Sequence, residues 1–273
     1  MVVLLCFRKY GCHLLMSEKQ AVEDFWNEAS CGEALYLNDS RYDLQAEQRY
    51  RLEPHILTFA DFPRWKGKRV LEIGVGLGAD HEQFSRAGAI LAGIDLTARA
   101  IEHTRRRLQG KDTDLRVADA ESLPFEDNSF DLVYSFGVIH HSPDTAQCAR
   151  EILRVLKPGG EFRVMIYQRH SLVGLMLWLR YGTFRRSLDE VYSRYLESPG
   201  TKTYSPQQAR QLFAGAQNIK TASVLTHADL LSSGAGQRHE GALLRCVRAI
   251  WPRWLLKRIA EPYGLHLLIS GIK

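Results

Sequence analysis

The chain has 273 residues, 45% of them apolar and 25% charged, the balance of a soluble globular protein rather than a disordered or fibrous one. Five scattered cysteines (Cys6, Cys12, Cys31, Cys148 and Cys246) include no C-x-x-C pair, which argues against a disulfide framework and against a zinc site, so no metal is expected, and the usage fits a reducing, cytoplasmic setting. The net charge of +5 divides unevenly: residues 161–273 hold 16 Lys and Arg against 7 Asp and Glu, and the remainder holds 20 against 24, so the C-terminal part is the one that suits an anionic substrate, RNA or a membrane surface.

Residues 1–15 read as a disordered extension. Arg8 and Lys9 follow a short apolar run, the reverse of a secretory signal, and no run approaches the ~20 apolar residues that span a bilayer. Residues 17–62 read as two or three helices, opened by Val22, Phe25 and Trp26 at helical spacing and interrupted near Gly32 and Pro54. From Arg69 onward, strands near 69–73, 90–94, 115–117, 131–136 and 161–167 alternate with helices near 79–87, 97–109 and 145–156. That alternation predicts an α/β fold, a Rossmann-like doubly wound parallel sheet with helices on both faces. Ligand then belongs outside the carboxyl ends of the strands.

The first strand runs straight into glycines at every second position: Val70-Leu71-Glu72-Ile73-Gly74-Val75-Gly76-Leu77-Gly78-Ala79-Asp80. Such a turn lets the backbone approach a ligand, and the helix behind it offers free N–H groups. A dinucleotide site needs its third glycine one place later, and Glu72 at the strand tip repels a pyrophosphate but suits a cation. The second strand ends in Asp95, about twenty residues on, where a carboxylate can accept from both hydroxyls of a ribose. After Tyr167 the apolar segment Leu172 to Leu179 is far too short to cross a membrane. Ser205-Pro206 opens a helix through Phe213, Ile219 to Leu225 reads as a sixth strand and Leu265 to Ile272 as a seventh.

The glycine turn with its upstream acid resembles the first motif of the class I S-adenosylmethionine (SAM)-dependent methyltransferases. Leu115 to Phe125, with Asp119, resembles the family segment whose acid contacts the adenine amino group. Glu126 to His141 resembles its fourth strand and the following loop, and Arg150 to Gly160 its lysine-proline-glycine-glycine turn. The four motifs cover about residues 69 to 167, and the paired histidines bring the sequence nearest the branch of ubiquinone/menaquinone-type small-molecule methyltransferases. The resemblance implies a sheet of about seven strands whose last is antiparallel, N-terminal helices closing over the cofactor, and a helical cap insertion within a single domain of residues 16–273. It also implies SAM as cofactor. Glu72, Gly74, Gly76 and Gly78 would carry its methionine end, Asp95 the ribose and Asp119 the adenine, with Leu96 and Ala120 flanking the purine and Phe136 near the sulfonium. Tyr36, Tyr42, Arg49 and Tyr50 are candidates for lid contacts.

Methyl transfer is an in-line displacement that gains mainly from alignment, and a base helps if the acceptor is a phenol, enol or hydroxyl. His140 and His141 fall beside the expected methyl, with His140 nearer the strand. The expected acceptor is a small or lipid-like molecule in a pocket lined by Leu175, Met176, Trp178, Trp251 and Trp254. A tRNA acceptor, suggested by the basic C-terminal half, and a non-catalytic SAM-binding scaffold are the alternatives. The segments Ser171 to Tyr181 and Trp251 to Ile259, edged by Arg180, Arg185, Arg186, Arg253, Lys257 and Arg258, can serve as cap, as core or as a peripheral membrane contact.

Overall fold

Successive residues of the first strand, β1 (Arg69–Ile73), face opposite sides of the sheet, and both sides are apolar. Val70 packs with Leu132 and Tyr134 on one face, whereas Leu71 and Ile73 pack with Val133 on the other. A strand apolar on both faces needs layers above and below, the arrangement of a parallel α/β sheet. The computed structural model of the protein describes residues 17–28, 42–111, 113–182, 186–232 and 248–273. The expected extension 1–15, the break at Gly32, Tyr36, Arg185 and the cysteines other than Cys148 lie outside the described residues.

The chain enters through helices α1 (Glu18–Glu28), α2 (Tyr42–Leu52) and α3 (His55–Ala60), then a 3₁₀ turn at Phe62–Trp65. After β1 come α4 (Ala79–Ala87), β2 (Ile90–Asp95), α5 (Ala98–Leu108), β3 (Asp114–Val117), β4 (Phe130–Phe136), a 3₁₀ turn at Ile139–His141, α6 (Thr145–Val155) and β5 (Leu156–Tyr167). Helices α7 (Leu172–Tyr181) and α8 (Leu188–Tyr195) are inserted before α9 (Pro206–Leu212), β6 (Gln217–Val224), α10 (Arg253–Ile259) and β7 (His266–Ile272).

The seven strands lie in the order β3-β2-β1-β4-β5-β7-β6. Strands β1 to β5 pair in parallel, and β7 runs antiparallel to both β5 and β6, as expected for the last strand. The order reverses at β1, so the carboxyl ends of β1, β2 and β4 border one crevice. The fifth strand begins earlier than the sequence suggests. Phe130 pairs with Leu156 and Leu132 with Glu161, so Lys157 to Gly160 bulge out of the ladder while remaining part of the strand. Gly159 takes the positive φ of 78° that such a bulge requires.

On one face Phe62, Phe84 and Tyr134 meet edge to face, with ring centroids 4.7 and 5.3 Å apart, which fixes the 3₁₀ turn at Phe62–Trp65 and α4 against β4. On the other, Cys148, Ile152 and Val155 of α6 pack with Ala209 and Phe213, and Phe213 stacks on Phe162 at 4.2 Å. Cys148 is buried, which pushes its thiol up to about 12 and leaves it an apolar filler.

Arg107 bolts α2 to the sheet. Its side chain is buried and donates to Glu82 at 2.7 Å, to Gln45 Oε1 at 2.6 Å and to the carbonyls of Leu77 and Tyr42. Removing it leaves Glu82 with Arg86 at 2.6 Å but takes the donor from Gln45 and from two carbonyls, at a cost of about 3–5 kcal/mol in all. Arg107→Ala is therefore expected to lower unfolding free energy by that amount in denaturant titration, and a loss below about 1 kcal/mol would show that the contact holds nothing together.

Candidate active site

The carboxyl ends of β1, β2 and β4 open on a cavity of about 180 Å³, closed on one side by Lys19, Val22 and Trp26 of α1. Glu72, Gly74, Gly76, Asp95, Leu96, Asp119, Ala120 and Phe136 all line it, together with Arg49 and His141. The glycine turn forms because Gly74 and Val75 both donate to the Ile94 carbonyl, at 2.8 and 3.1 Å, folding the chain back across β2. Gly76 has φ 51°, and a Cβ built on it meets nothing within 4 Å. Any side chain there would project into the open space over the turn, so this is where the backbone can come closest to a ligand. Gly78 differs: it caps α4 at φ 75°, and a Cβ would sit 3.1 Å from the Thr104 Cα. It does not line the cavity, and its function is to let α4 and α5 approach, not to hold a ligand.

Beneath the turn lie two buried carboxylates. Asp80 accepts from Arg49 through both oxygens, at 3.1 and 2.8 Å, from the Tyr50 hydroxyl at 2.9 Å and from the Tyr134 hydroxyl at 2.9 Å. Burial disfavours its charge, but Arg49 and the two hydroxyls outweigh that and hold the carboxyl below its ordinary range. Among the described residues Glu72 has no Lys or Arg in direct contact. Burial first, and then the charge of Asp80, raise its carboxyl well above the ordinary value.

The neighbouring hydrogen bonds agree. Thr113 Oγ1 donates to the Leu91 carbonyl at 3.1 Å, so it accepts from Nε2 of His81 at 2.9 Å. Burial holds His81 neutral, its pKa down at about 3, so its Nδ1 carries no proton. The 2.9 Å contact from Nδ1 to Glu72 Oε2 then needs the proton on Glu72. A cation arriving over the turn would let Glu72 ionise, and this is the sense in which the residues fit the positively charged methionine end of SAM.

Asp95 is held open for a ligand. Oδ2 accepts from the Gly76 amide at 3.1 Å, and Oδ1 accepts from the Thr97 amide and hydroxyl at 3.0 and 2.9 Å. These bonds aim the carboxylate across the cavity from the tip of β2. Asp119 accepts from the Glu121 amide at 2.9 Å, while its other oxygen is taken by Lys19 at 2.5 Å. Lys19 also reaches Glu121 at 2.6 Å, so α1 is pinned over the corner assigned to adenine.

The two histidines part company. His140 is fully buried, does not line the cavity, and lies between the rings of His141 and Tyr167 at 4.1 and 4.2 Å. Neither of its nitrogens has a hydrogen-bond partner among the described residues, and burial holds it neutral. The 3₁₀ turn at Ile139–His141 swings the first ring inward and the second toward the cavity, so the expectation that His140 leads as base is corrected. His141 does line the cavity. Its Nδ1 contacts Ser198 Oγ at 2.8 Å and Thr201 Oγ1 at 3.1 Å, and its Nε2 lies 3.5 Å from Glu197. Glu197 also accepts from the Tyr167 hydroxyl at 2.6 Å.

Other expectations also fail. Tyr50 serves Asp80, and the Tyr42 hydroxyl meets His103 Nδ1 at 3.1 Å, and neither tyrosine lines the cavity. None of Leu175, Met176, Trp178, Trp251 and Trp254 lines it. Asp229 draws that segment to another face by accepting from the amides of Val173 and Leu265 while its carbonyl takes the Trp251 indole N–H. Sequence reasoning missed Asp80, Lys19 and the trio Glu197, Ser198 and Thr201. Only Asp80 had a local signal, an acid two residues past the third glycine.

A sequence model described as a methyltransferase domain matches residues 71–164. Over 116 residues, 41% of this chain, it is 38% identical to phosphoethanolamine N-methyltransferase 2 of Caenorhabditis elegans, covering 26% of that protein. Over 59% of the chain it is 28% identical to a demethylmenaquinone methyltransferase of Renibacterium salmoninarum, covering 72% of it. The chain thus spans about a quarter of the first relative. Among solved structures, one chain of the complex of the Haloferax volcanii Trm112 methyltransferase activator with a candidate methyltransferase superposes with a TM-score of 0.62 at 20% identity, covering 92% of this chain and 96% of that one.

His266 faces His55 Nε2 at 3.1 Å and Glu53 at 3.5 Å, with Arg49, His227, Tyr167 and Glu197 around it, and burial depresses its pKa to about 3. The unfolded chain then takes up a proton near pH 6.5 that the folded chain refuses, so this histidine's contribution is intact above that pH and is lost as pH falls toward 3. The stability advantage of wild type over His266→Gln is expected to shrink by about 2 kcal/mol between pH 7 and pH 5 in chemical denaturation. A pH-independent difference would place His266 in contact with water.

Proposed function

We propose, from the premise that the chain belongs to the class I SAM-dependent methyltransferase superfamily, that it transfers a methyl group to a small or lipid-like acceptor held between α1 and the loop after β4. SAM supplies, when bound, a methyl group on a sulfonium already activated for displacement. The observation that carries the reading is the division of one cavity into two unlike walls. Its β1–β2 side is lined by Glu72, Asp80, Asp95 and Asp119, which suit an amino group, a ribose and an adenine amine. Its β4 side is lined by Trp26, Phe136, Val138, His141 and Pro143, a wall with aromatic rings and one titratable group.

That second wall accounts for the preference for a small acceptor. Pockets of this kind are mostly apolar with a few placed polar groups. The two cations in the lining are both engaged, Lys19 with Asp119 and Glu121, Arg49 with Asp80. A nucleic-acid track would need cations left over for phosphates. Relatives named for phosphoethanolamine and demethylmenaquinone support the same acceptor classes.

The protein's own contribution is alignment, exclusion of water and one proton site. Helix α1 covers the cavity through Val22 and Trp26, and the Trp26 ring lies edge-on to His141 at 5.3 Å. Nε2 of His141 has no hydrogen bond among the described residues and lies 3.5 Å from the Glu197 carboxylate. Ser198 and Thr201 fix the ring so that this nitrogen keeps its direction. Lys202 straps the segment down, its amide donating to the His140 carbonyl at 3.0 Å and its ammonium to the Ser142 carbonyl at 2.9 Å.

Calorimetry is expected to show SAM and its demethylated product binding and NAD failing to bind, with Asp95→Ala weakening SAM by about 1.5–3 kcal/mol. NAD binding in place of SAM would refute the reading. His141→Ala is expected to cut turnover by about 10²–10⁴-fold with SAM affinity nearly unchanged. Wild-type rates at saturating acceptor would leave alignment as the whole mechanism. Incubating a lysate with methyl-labelled SAM and this protein identifies the acceptor: label in a small or lipid-soluble product supports the proposal, label in RNA overturns it, and no labelled product favours a SAM-binding scaffold.

A further inference from the structure

Helix α10 reads Arg253-Trp254-Leu255-Leu256-Lys257-Arg258-Ile259 and buries none of its residues. A seven-residue helix has little stability of its own, and helices in proteins are held mostly by the apolar face they bury. Here Trp254 and Ile259 are 68% and 62% exposed, so the face is turned outward with nothing from this chain covering it among the described residues. Helix α7 buries Gly174 and Leu177 but leaves Leu175 and Leu179 52% and 69% exposed.

The two helices form one surface. Asp229 joins them, its carboxylate accepting from the Val173 amide at the start of α7 and its carbonyl from the Trp251 indole at the approach to α10. Tyr263, just past α10, shares an apolar cleft with Leu172, Leu175 and Trp178 of α7. Isolated exposed apolar side chains are ordinary, but a contiguous set on two helices marks a contact surface.

Charge decides what the surface contacts. Lys257 and Arg258 close the last turn of α10, Arg180 closes α7, and Glu261 is the acid that follows α10. Both segments lie in the part of the chain that carries 16 basic against 7 acidic residues. Trp and Tyr beside Leu and Ile, rimmed by cations, is the composition of an interfacial element that sinks its apolar face to the headgroup boundary while the cations stay with anionic lipid. Among the described residues no helix is long and apolar enough to cross a membrane, so the contact is peripheral.

We propose that the α7–α10 face docks the protein onto an anionic lipid bilayer. The attachment is independent of the methyl-transfer reading, since none of its residues lines the central cavity. Co-sedimentation of the full chain with phosphatidylcholine vesicles, with and without phosphatidylglycerol, tests it. Binding is expected to need phosphatidylglycerol and to fade as salt is raised from 0.1 to 1 M, where the screening length falls from ~10 to ~3 Å. K257Q/R258Q is expected to weaken binding about 25-fold, roughly five-fold per cation. L179S/W254S/I259S should abolish it while keeping the circular dichroism spectrum and SAM affinity of wild type. Failure to bind anionic vesicles overturns the proposal. So does binding unchanged in the triple variant, and so does a wild-type dimer in sedimentation equilibrium that the triple variant dissociates without any vesicle binding, which would assign the face to a second copy of the chain.

Discussion

Two carboxylates and one guanidinium share the space beneath the glycine turn, and the geometry around them follows from that imbalance. Asp80 takes Nε and Nη2 of Arg49 together with the Tyr50 and Tyr134 hydroxyls, while Nη1 lies 3.6 Å from Glu53. Glu72 is left with His81, which burial keeps neutral. Two buried charges of one sign beside a single opposite charge are costly. The cost is met at Glu72, whose carboxyl burial and the charge of Asp80 raise well above its ordinary value. The same contacts also hold the fold: Arg49 and Tyr50 come from α2, Asp80 from α4 and Tyr134 from β4, so the site's electrostatics fasten the N-terminal helices to the sheet.

The opposite wall is assembled from distant sequence. His141 is aimed by Ser198, Thr201 and Glu197, all beyond the inserted helices α7 and α8. The insertion therefore reaches the cavity through its exit segment rather than through its apolar helices. Helix α1 is held more lightly. Lys19 is partly exposed, and surface ion pairs contribute about 0–1 kcal/mol each, so α1 can lift from Asp119 at small cost. Lys19 occupies the Asp119 oxygen that faces this corner of the cavity.

Much of the fold was legible because the strands are short, apolar and punctuated by glycine. The first strand, 69–73, the crossover helices and the antiparallel last strand were all found where the pattern placed them. Strand five was misjudged at its start because proline and two glycines read as a turn, whereas the chain absorbs them as a bulge. The residues expected at the strand ends, from Glu72 to Phe136, do line one cavity, and they were legible because strand ends are local features. Gly78 was not, since spacing alone cannot tell a glycine that approaches a ligand from one that admits a neighbouring helix. Nor was the order of the histidines, which depends on the direction of a single 3₁₀ turn. The apolar helices were assigned to the acceptor pocket because apolar composition does not say which way a helix faces. Asp229 turns them outward, and a buried aspartate that accepts from three backbone amides leaves no periodic trace.

The most direct measurement compares wild type with Glu72→Gln for both thermal unfolding without ligand and SAM affinity by calorimetry. The glutamine amide can still donate to His81 Nδ1 but carries no charge. If the unmatched acid beneath the turn is what selects a cationic cofactor, the substitution leaves the melting temperature unchanged or raises it while weakening SAM by at least ten-fold, about 1.4 kcal/mol. A variant that melts lower and binds SAM as tightly as wild type would contradict the account, because Glu72 would then be a structural residue and the cofactor's charge would be met elsewhere.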